Sequence, residues 1–207
     1  MRFLGKLVLV SVGILFLNST VVYGAEEKPN ALVERLTSSV LDEINSDKEL
    51  LNGDLNKIKL LVDRKIIPYV NFQRMTASAV GPAWRQATLQ QKEKLQEQFK
   101  TLLVRSYAGA LNQIKNKSIR VLPLRSASDD TDVLVQALII GGPEPIKLGY
   151  RLEKTPNEGA GWKIYNLNVF GVWLVETYRT QFSQVINAKG VDGLIETLTI
   201  LNSNNKK

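Results

Sequence analysis

The fold class is decided by residues 132–152, which read DVLVQALIIGGPEPIKLGYRL. Valine, alanine and isoleucine recur at every second position before the Gly141-Gly142-Pro143 turn, and apolar residues do so again from Ile146 to Leu152. A side-chain period of two is typical of a β-strand with one buried face. The stretch therefore predicts a β-hairpin whose first strand is Asp132–Ile140.

Two further strands extend this hairpin. One spans about Ile119–Leu124 and the other runs from Trp162 to Val169, each separated from the hairpin by a polar turn. In the last strand the apolar positions change phase between Ile164 and Leu167, which predicts a β-bulge at Tyr165-Asn166. Short turns join consecutive strands, so we expect a curved, four-stranded antiparallel sheet.

Helical patterns flank the strands on both sides. Helix signals begin at Pro29, cover about residues 54–67 and 72–80, and resume after the Thr88-x-x-Gln91 capping box. An amphipathic helix follows the strands and stops before Gly190, and a short final helix comes after it. About six helices and one antiparallel sheet place the chain in the α+β class.

The amino terminus has the pattern of a secretory signal peptide. A positively charged start precedes the apolar run Leu7–Leu17, which is much shorter than the ~20 residues of a bilayer-spanning helix. Cleavage after Gly24 places Val22 and Gly24 at the third and first positions before the cut. We therefore expect residues 1–24 to be removed and residues 25–207 to form a single domain of an exported protein.

Composition excludes several classes of chemistry. The 207 residues include no histidine and no cysteine, which excludes a Ser-His-Asp or Cys-His nucleophile system, an imidazole or thiolate metal site, and a disulfide. The net charge of +7 is modest, and the charges from Lys92 to Lys100 mix both signs, which indicates a solvated helix face and no nucleic-acid partner. The acidic turn at Asp129, Asp130 and Asp132 lacks the spacing of an EF-hand, so we assign no metal site.

Apolar side chains recur on the third strand, on the long helix and on the late helix, and two interpretations stay open. They fill a solid core, or they line a cavity on the concave side of the sheet that suits an apolar ligand.

Besides a binding protein, two other functions stay open for such a domain. A pocket enzyme would pair Tyr107, Tyr150 or Tyr178 with a carboxylate, but Glu153 falls on the polar strand face and we assign no catalytic residue. A ligand-free periplasmic adaptor is the third alternative.

An ordered set of short motifs resembles those of a known family. The set comprises Val70-Asn71-Phe72, Gly81-Pro82-Ala83-Trp84-Arg85, Phe99 with Leu102-Leu103 and Tyr107-Ala108, Tyr150, Trp162-Lys163-Ile164-Tyr165-Asn166-Leu167, Gly171-Val172, Tyr178-Arg179-Thr180-Gln181-Phe182, and Leu194-Ile195 with Leu198. These motifs are similar to those of the MlaC family and are spread over essentially the whole mature chain. The resemblance implies an NTF2-like α+β fold around a deep apolar pocket, and no enzymatic activity.

The resemblance also implies a function, partners and binding residues. It implies a periplasmic carrier of Gram-negative bacteria that holds phospholipid as cargo and needs no cofactor. Such a carrier shuttles between an inner-membrane ABC transporter complex with an MCE-domain ring and an outer-membrane lipoprotein–porin complex, and so maintains outer-membrane lipid asymmetry. The predicted lipid-binding residues are Phe99, Leu103, Tyr107, Leu111, Val133, Val135, Ala137, Leu148, Tyr150, Ile164, Leu167, Val169, Val172, Tyr178 and Phe182. The headgroup is expected near the pocket mouth, where an arginine or lysine attracts phosphate.

Overall fold

An antiparallel sheet of five strands forms one layer of the structure, a computed structural model that describes residues 27–125 and 129–204. The strands follow one another in chain order: β1 Ser118–Val121, β2 Asp132–Ile140, β3 Ile146–Lys154, β4 Trp162–Val169 and β5 Val172–Trp173. The α+β class and the meander are confirmed, with one strand more than the four expected. The extra strand β5 has only two residues, too few to show a period of two in the sequence.

The predicted β-bulge is confirmed at Tyr165. Leu152 of β3 lies opposite Ile164 of β4. The adjacent Arg151 lies opposite Asn166, so Tyr165 is the extra residue on β4. Because a one-residue insertion reverses the alternation of side chains, the bulge brings the apolar residues on either side of it to the same face of the sheet.

Seven α-helices accompany the sheet in the part of the chain that the structure describes. They are α1 Pro29–Ser46, α2 Lys48–Leu51, α3 Leu55–Leu61, α4 Phe72–Val80, α5 Ala83–Gln86, α6 Leu89–Ala108 and α7 Leu174–Asn204. The capping box of α6 is confirmed by reciprocal hydrogen bonds between Thr88 and Gln91. Gly190, with φ of 69°, interrupts α7 where the sequence predicts the end of the amphipathic helix. None of the helices described is long and apolar enough to cross a membrane.

The segment predicted as one helix over residues 54–67 changes its helical type twice. Asp54 caps the start of α3 with its carboxylate. After α3 the chain continues as a π-helical turn, Val62–Ile66, and a 3-10 turn, Ile67–Tyr69. The prediction of an ordinary α-helix was wrong over this second half. Pro68 lacks an N–H group and its ring clashes with the preceding turn, so the segment cannot continue as an α-helix there.

One hydrophobic cluster, the sheet core, lies between α1 and the inner face of the sheet. Opposite residues on neighbouring strands share a face, so the alternating apolar residues of β2 and β3 form one surface that α1 covers. The buried members of the sheet core are Leu32, Val33, Leu36, Val133, Val135, Ala137, Tyr150, Leu152, Trp162 and Ile164.

A second cluster, the helix core, joins α4, α6 and α7. Its centre is a group of three rings: Phe99 meets Tyr178 edge to face at 5.0 Å between centroids and meets Phe182 in the same way at 5.2 Å. The buried members are Met75, Ala79, Val80, Leu95, Phe99, Val175, Tyr178, Phe182, Leu194 and Leu198. Close aromatic packing makes this region a solid core.

The start of α4 is fixed to the sheet at the bulge. The N–H group of Asn71 donates to the carbonyl of Ile164 at 2.8 Å, and its side-chain amide donates to Glu153 at 2.6 Å. The guanidinium of Arg74 pairs with Glu153 and stacks over the ring of Tyr165, 3.6 Å from the ring centroid. These contacts hold α4 beside β4, and the two elements contribute to the same cavity.

The start of α7 is fixed to β4 by one buried amide. Asn166 is 2% exposed, and its Oδ1 accepts a hydrogen bond from the N–H group of Val175 at 3.2 Å. Its Nδ2 donates to Glu176 at 2.8 Å. The first contact satisfies the free N–H group of Val175 in the first turn of the helix, and both contacts hold the start of α7 against the sheet.

Candidate functional site

A cavity of about 360 Å³ lies between the inner face of the sheet and the helices. Its lining residues, which we call the cavity wall, are Leu36, Thr37, Val40, Ile58, Val62, Ile66, Ile67, Val70, Phe72, Met75, Lys100, Leu103, Val104, Tyr107, Ala108, Ala110, Gln113, Ile114, Ile139, Ile146, Leu148, Tyr150, Ile164, Leu167, Val169, Phe170 and Leu174. Aliphatic and aromatic side chains make up nearly all of this wall. It therefore offers a ligand dispersion contacts and few hydrogen bonds.

The sheet side of the wall comes from β3 and β4. Leu148 and Tyr150 lie two residues apart on β3, so their side chains point the same way. Val169 lies opposite Leu148 and Leu167 lies opposite Tyr150. The bulge keeps Ile164 on this same surface, because it restores the phase of β4.

The helix side of the wall includes one stripe of α6. Lys100, Leu103, Val104 and Tyr107 follow one another at spacings of three, one and three residues, so they lie along one side of the helix. Phe99 belongs to the neighbouring face and packs into the helix core. Leu103, one turn after Phe99, contacts both the helix core and the cavity, so the boundary between the two regions passes along this side of α6.

Tyr150 and Thr37 form a polar contact within the cavity wall. Their hydroxyl oxygens are 3.1 Å apart. Burial raises the pKa of Tyr150 to about 12, while the hydrogen bond between Tyr150 and Thr37 lowers that pKa by a smaller amount. Burial also raises the pKa of Tyr107. Both phenols are therefore neutral at physiological pH and add no charge to the wall.

Lys100 is the one charged residue of the cavity wall in the described ranges. Its Nζ lies 2.8 Å from the Oδ1 of Asp63, which belongs to the π-helical turn. The two side chains are 26% and 38% exposed. The sequence interpretation of Lys100 as part of a solvated helix face was wrong, because the residue shares the stripe of Leu103 and Tyr107. Across residues 27–125 and 129–204, no group of three or more acidic side chains is placed to hold a metal ion.

A comparison with models of known protein families shows the family to which this chain belongs. The model described as "MlaC protein" matches residues 34–199. The chain belongs to the MlaC family. The match begins within α1 and ends within α7, so it includes the whole cavity wall.

Three individual proteins are similar to this chain along most of their length. The intermembrane phospholipid transport system binding protein MlaC of Haemophilus influenzae is 25% identical over 173 residues, which cover 83% of this chain and 80% of the relative. The toluene tolerance protein ttg2D of Pseudomonas putida is 28% identical over 170 residues, covering 81% and 77%. The phospholipid-binding protein of Ralstonia solanacearum, solved in complex with a phospholipid, is 43% identical with a TM-score of 0.81, covering 86% of this chain and 98% of that one.

Several predicted binding residues of this MlaC-family chain meet in the cavity wall. They come from α6, β3 and β4: Leu103, Tyr107, Leu148, Tyr150, Ile164, Leu167 and Val169. The structure therefore gathers the predicted residues of the third and fourth strands with one face of the long helix. Contact of these residues with a lipid stays a prediction.

Other predicted binding residues lie outside the cavity wall. Phe99, Tyr178 and Phe182 are in the helix core, because α7 packs against that face of α6. Val133, Val135 and Ala137 are in the sheet core, where α1 covers β2. Val172 on β5 is 47% exposed. The side chain of Leu111 lies outside the described residues. Helical and strand periods mark an apolar face but do not say which element covers it.

The cavity wall also contains residues that were not among the predicted binding residues. They come from α1, α3, the two turns after it and α4: Leu36, Thr37, Val40, Ile58, Val62, Ile66, Ile67, Val70, Phe72 and Met75. A signal was present in Ile66 and Ile67, two adjacent branched residues directly before Pro68. A helix that buries a single stripe does not need apolar residues at consecutive positions, so this pair indicates that the segment has a second apolar surface to cover.

Proposed function

We propose that this chain is a periplasmic phospholipid carrier that holds acyl chains in the cavity and moves lipid between membranes. The observation that carries the proposal is the nearly unbroken apolar wall around a cavity of about 360 Å³. Phospholipid is named in the description of the Haemophilus influenzae relative, and the Ralstonia solanacearum relative was solved with one bound. The amino-terminal pattern supports export, which fits a carrier working between two membranes.

The energetics of the acyl chains explain why a carrier is needed. Each methylene transferred from an apolar environment to water costs about 0.8 kcal/mol, so a two-chain lipid with about 30 of them has roughly 24 kcal/mol at stake. A protein cavity of similar apolarity cancels most of that cost. It must hold the lipid about as well as a membrane does, because much tighter binding would prevent delivery.

The partners follow from the proposed route. We propose that the carrier exchanges lipid with an inner-membrane ABC transporter complex containing an MCE-domain ring and with an outer-membrane lipoprotein–porin complex, and that this traffic maintains outer-membrane lipid asymmetry. The name of the Haemophilus influenzae relative, which includes an intermembrane transport system, supports this assignment. The lipid is cargo, and the carrier uses no cofactor.

The enzyme alternative needs a carboxylate beside a tyrosine in the pocket. Among the described residues of the cavity wall there is no aspartate or glutamate. Glu153 instead accepts hydrogen bonds from Asn71 and pairs with Arg74 at the start of α4. This arrangement favours a binding function over acid–base chemistry.

Native mass spectrometry and solvent extraction test the carrier and its two alternatives. Protein purified without detergent is expected to carry endogenous diacyl phospholipid with mixed headgroups, because affinity resides in the tails. A pocket enzyme would instead carry a small substrate or product, and an adaptor would carry nothing. Protein that is lipid-free and takes up no phospholipid from vesicles would exclude the carrier function.

A further inference from the structure

We infer that Lys100 is the phosphate contact of the cavity: its ammonium group exchanges Asp63 for the phosphate of the bound lipid. The inference rests on the proposed function, because it requires a phospholipid whose acyl chains occupy the cavity. It adds a residue that distinguishes a phosphate-bearing lipid from a neutral one with the same tails.

Lys100 lines the cavity, whereas the basic residues next to its partner Asp63 do not. Lys100 is part of the cavity wall, with its side chain 26% exposed. Arg64 and Lys65, in the π-helical turn, are not part of the wall, and both pair with Glu43 on α1. Lys100 thus places the only formal charge of the described wall on a surface that is otherwise suited to acyl chains.

The solvent exposure of the ion pair places it where the cavity meets water. Asp63 is 38% exposed, so neither partner is enclosed in the protein interior. A phospholipid with buried tails keeps its phosphate at such a boundary, because an unpaired phosphate would be costly to bury. The stem of a lysine contributes methylenes to the apolar surface while its ammonium group stays with the polar atoms.

Exchange of the partner is energetically feasible. An ion pair between partly solvated side chains such as these is weak, so little is lost when Lys100 leaves Asp63. A phosphate offers several anionic oxygens, and hydrogen bonds to charged groups are among the stronger ones in proteins. The carboxylate of Asp63 also repels an approaching phosphate, so it lowers the affinity that Lys100 alone would provide.

The test uses two soluble short-chain lipids with identical acyl chains, phosphatidylglycerol and diacylglycerol, titrated calorimetrically into delipidated protein. Lys100→Met keeps the apolar stem and removes the charge. It should weaken phosphatidylglycerol binding by about five- to tenfold and change diacylglycerol binding by less than about twofold. Asp63→Asn should strengthen phosphatidylglycerol binding by about two- to fivefold. Lys94→Met is the matched control, because Lys94 lies on the exposed face of α6 and is 56% exposed.

The binding measurements distinguish failure of the inference about Lys100 from failure of the proposed function. The inference is overturned if Lys100→Met leaves phosphatidylglycerol binding unchanged, or if it weakens both lipids equally while melting normally. The inference is also overturned if Lys94→Met weakens phosphatidylglycerol binding as much as Lys100→Met does, since the loss of affinity would then reflect the net charge of the protein. Wild-type protein that binds neither lipid would overturn the proposed function instead. Higher salt should narrow the gap between wild type and Lys100→Met for phosphatidylglycerol only.

Discussion

The hydroxyl groups of Thr37 on α1 and Tyr150 on β3 meet at 3.1 Å in the cavity wall. The contact joins the helix that covers the sheet to the strand that forms one side of the cavity. It also satisfies two polar groups that would otherwise be costly in an apolar surface. The phenol is held in its neutral form by burial, which raises its pKa to about 12.

The Tyr150 pKa predicts a loss of stability at alkaline pH. In the unfolded chain the phenol has its ordinary pKa of 10.0, so it ionises there first and favours unfolding as the pH rises from about 10 to about 12. Below pH 10 this contribution is constant. At neutral pH, Tyr150→Phe should lower the free energy of unfolding by about 1 kcal/mol, because the hydrogen bond to Thr37 is removed. Between pH 10 and 12 the free energy of unfolding should fall by up to about 3 kcal/mol less in Tyr150→Phe than in wild type, because phenylalanine does not ionise. Urea unfolding across this range measures both effects, and parallel curves would contradict the prediction.

Leu148 and Leu152 form a matched pair for testing the cavity. They lie on the same face of β3, but Leu148 is in the cavity wall and Leu152 is fully buried in the sheet core. Leu148→Arg should fold and lose lipid, because its long side chain can reach solvent through the cavity. Leu152→Arg buries an unpaired charge at a cost of several kcal/mol, against a total stability of about 5–15 kcal/mol, and should not accumulate as folded protein.

Thermal melting and bound lipid are measured on the same samples of the two arginine variants. A well-folded Leu148→Arg protein that retains its full lipid content would show that this strand face does not hold acyl chains. Equal unfolding of both variants would show that Leu148 is packed as tightly as Leu152.

Phe99 and Leu103 provide a second comparison, one helical turn apart on α6. Phe99→Ala removes the centre of the aromatic group in the helix core and should cost about 3–5 kcal/mol of stability, with little change in lipid affinity per folded molecule. Leu103→Ala should cost less stability and weaken lipid binding by about three- to tenfold, because Leu103 lines the cavity. A larger loss of lipid affinity from Phe99→Ala than from Leu103→Ala would place the ligand in the helix core.

Export is tested by the mass of the mature protein. Cleavage after Gly24 should leave Ala25 as the first residue of protein recovered from the periplasm. Intact mass spectrometry measures this directly. A mature species that still contains Arg2 and Lys6 would contradict the predicted localisation.

The strands and the bulge follow from the sequence because their side chains have a strict period. The phase change between Ile164 and Leu167 has one simple explanation, an extra residue, and the register of β3 and β4 shows it at Tyr165. The two-residue β5 and the π-helical turn Val62–Ile66 could not be predicted in this way. The first is too short to have a period, and the second keeps the apolar pattern of an α-helix while changing its hydrogen bonds.

The cavity wall follows from the sequence less completely than the sheet does. Leu148 and Val135 both alternate on an inner strand face, yet one is in the wall and the other is 0% exposed beneath α1. Likewise, Phe99 and Leu103 are both apolar residues of α6. Whether an apolar residue lines the cavity or fills a solid core depends on which helix covers its face. Long-range packing determines which helix that is, and local periodicity does not reveal it.

The apolar cavity has a consequence for the response of the protein to hydrostatic pressure. Pressure favours the state of smaller volume, and unfolding eliminates internal space that apolar side chains enclose but water does not fill well. The lipid-free form should therefore be more compressible and should unfold at lower pressure than a form whose cavity is filled with lipid. The extra compressibility should arise at the cavity wall, because most buried members of the sheet core and of the helix core lie outside that wall. Loading would thus stiffen the molecule as well as stabilise it.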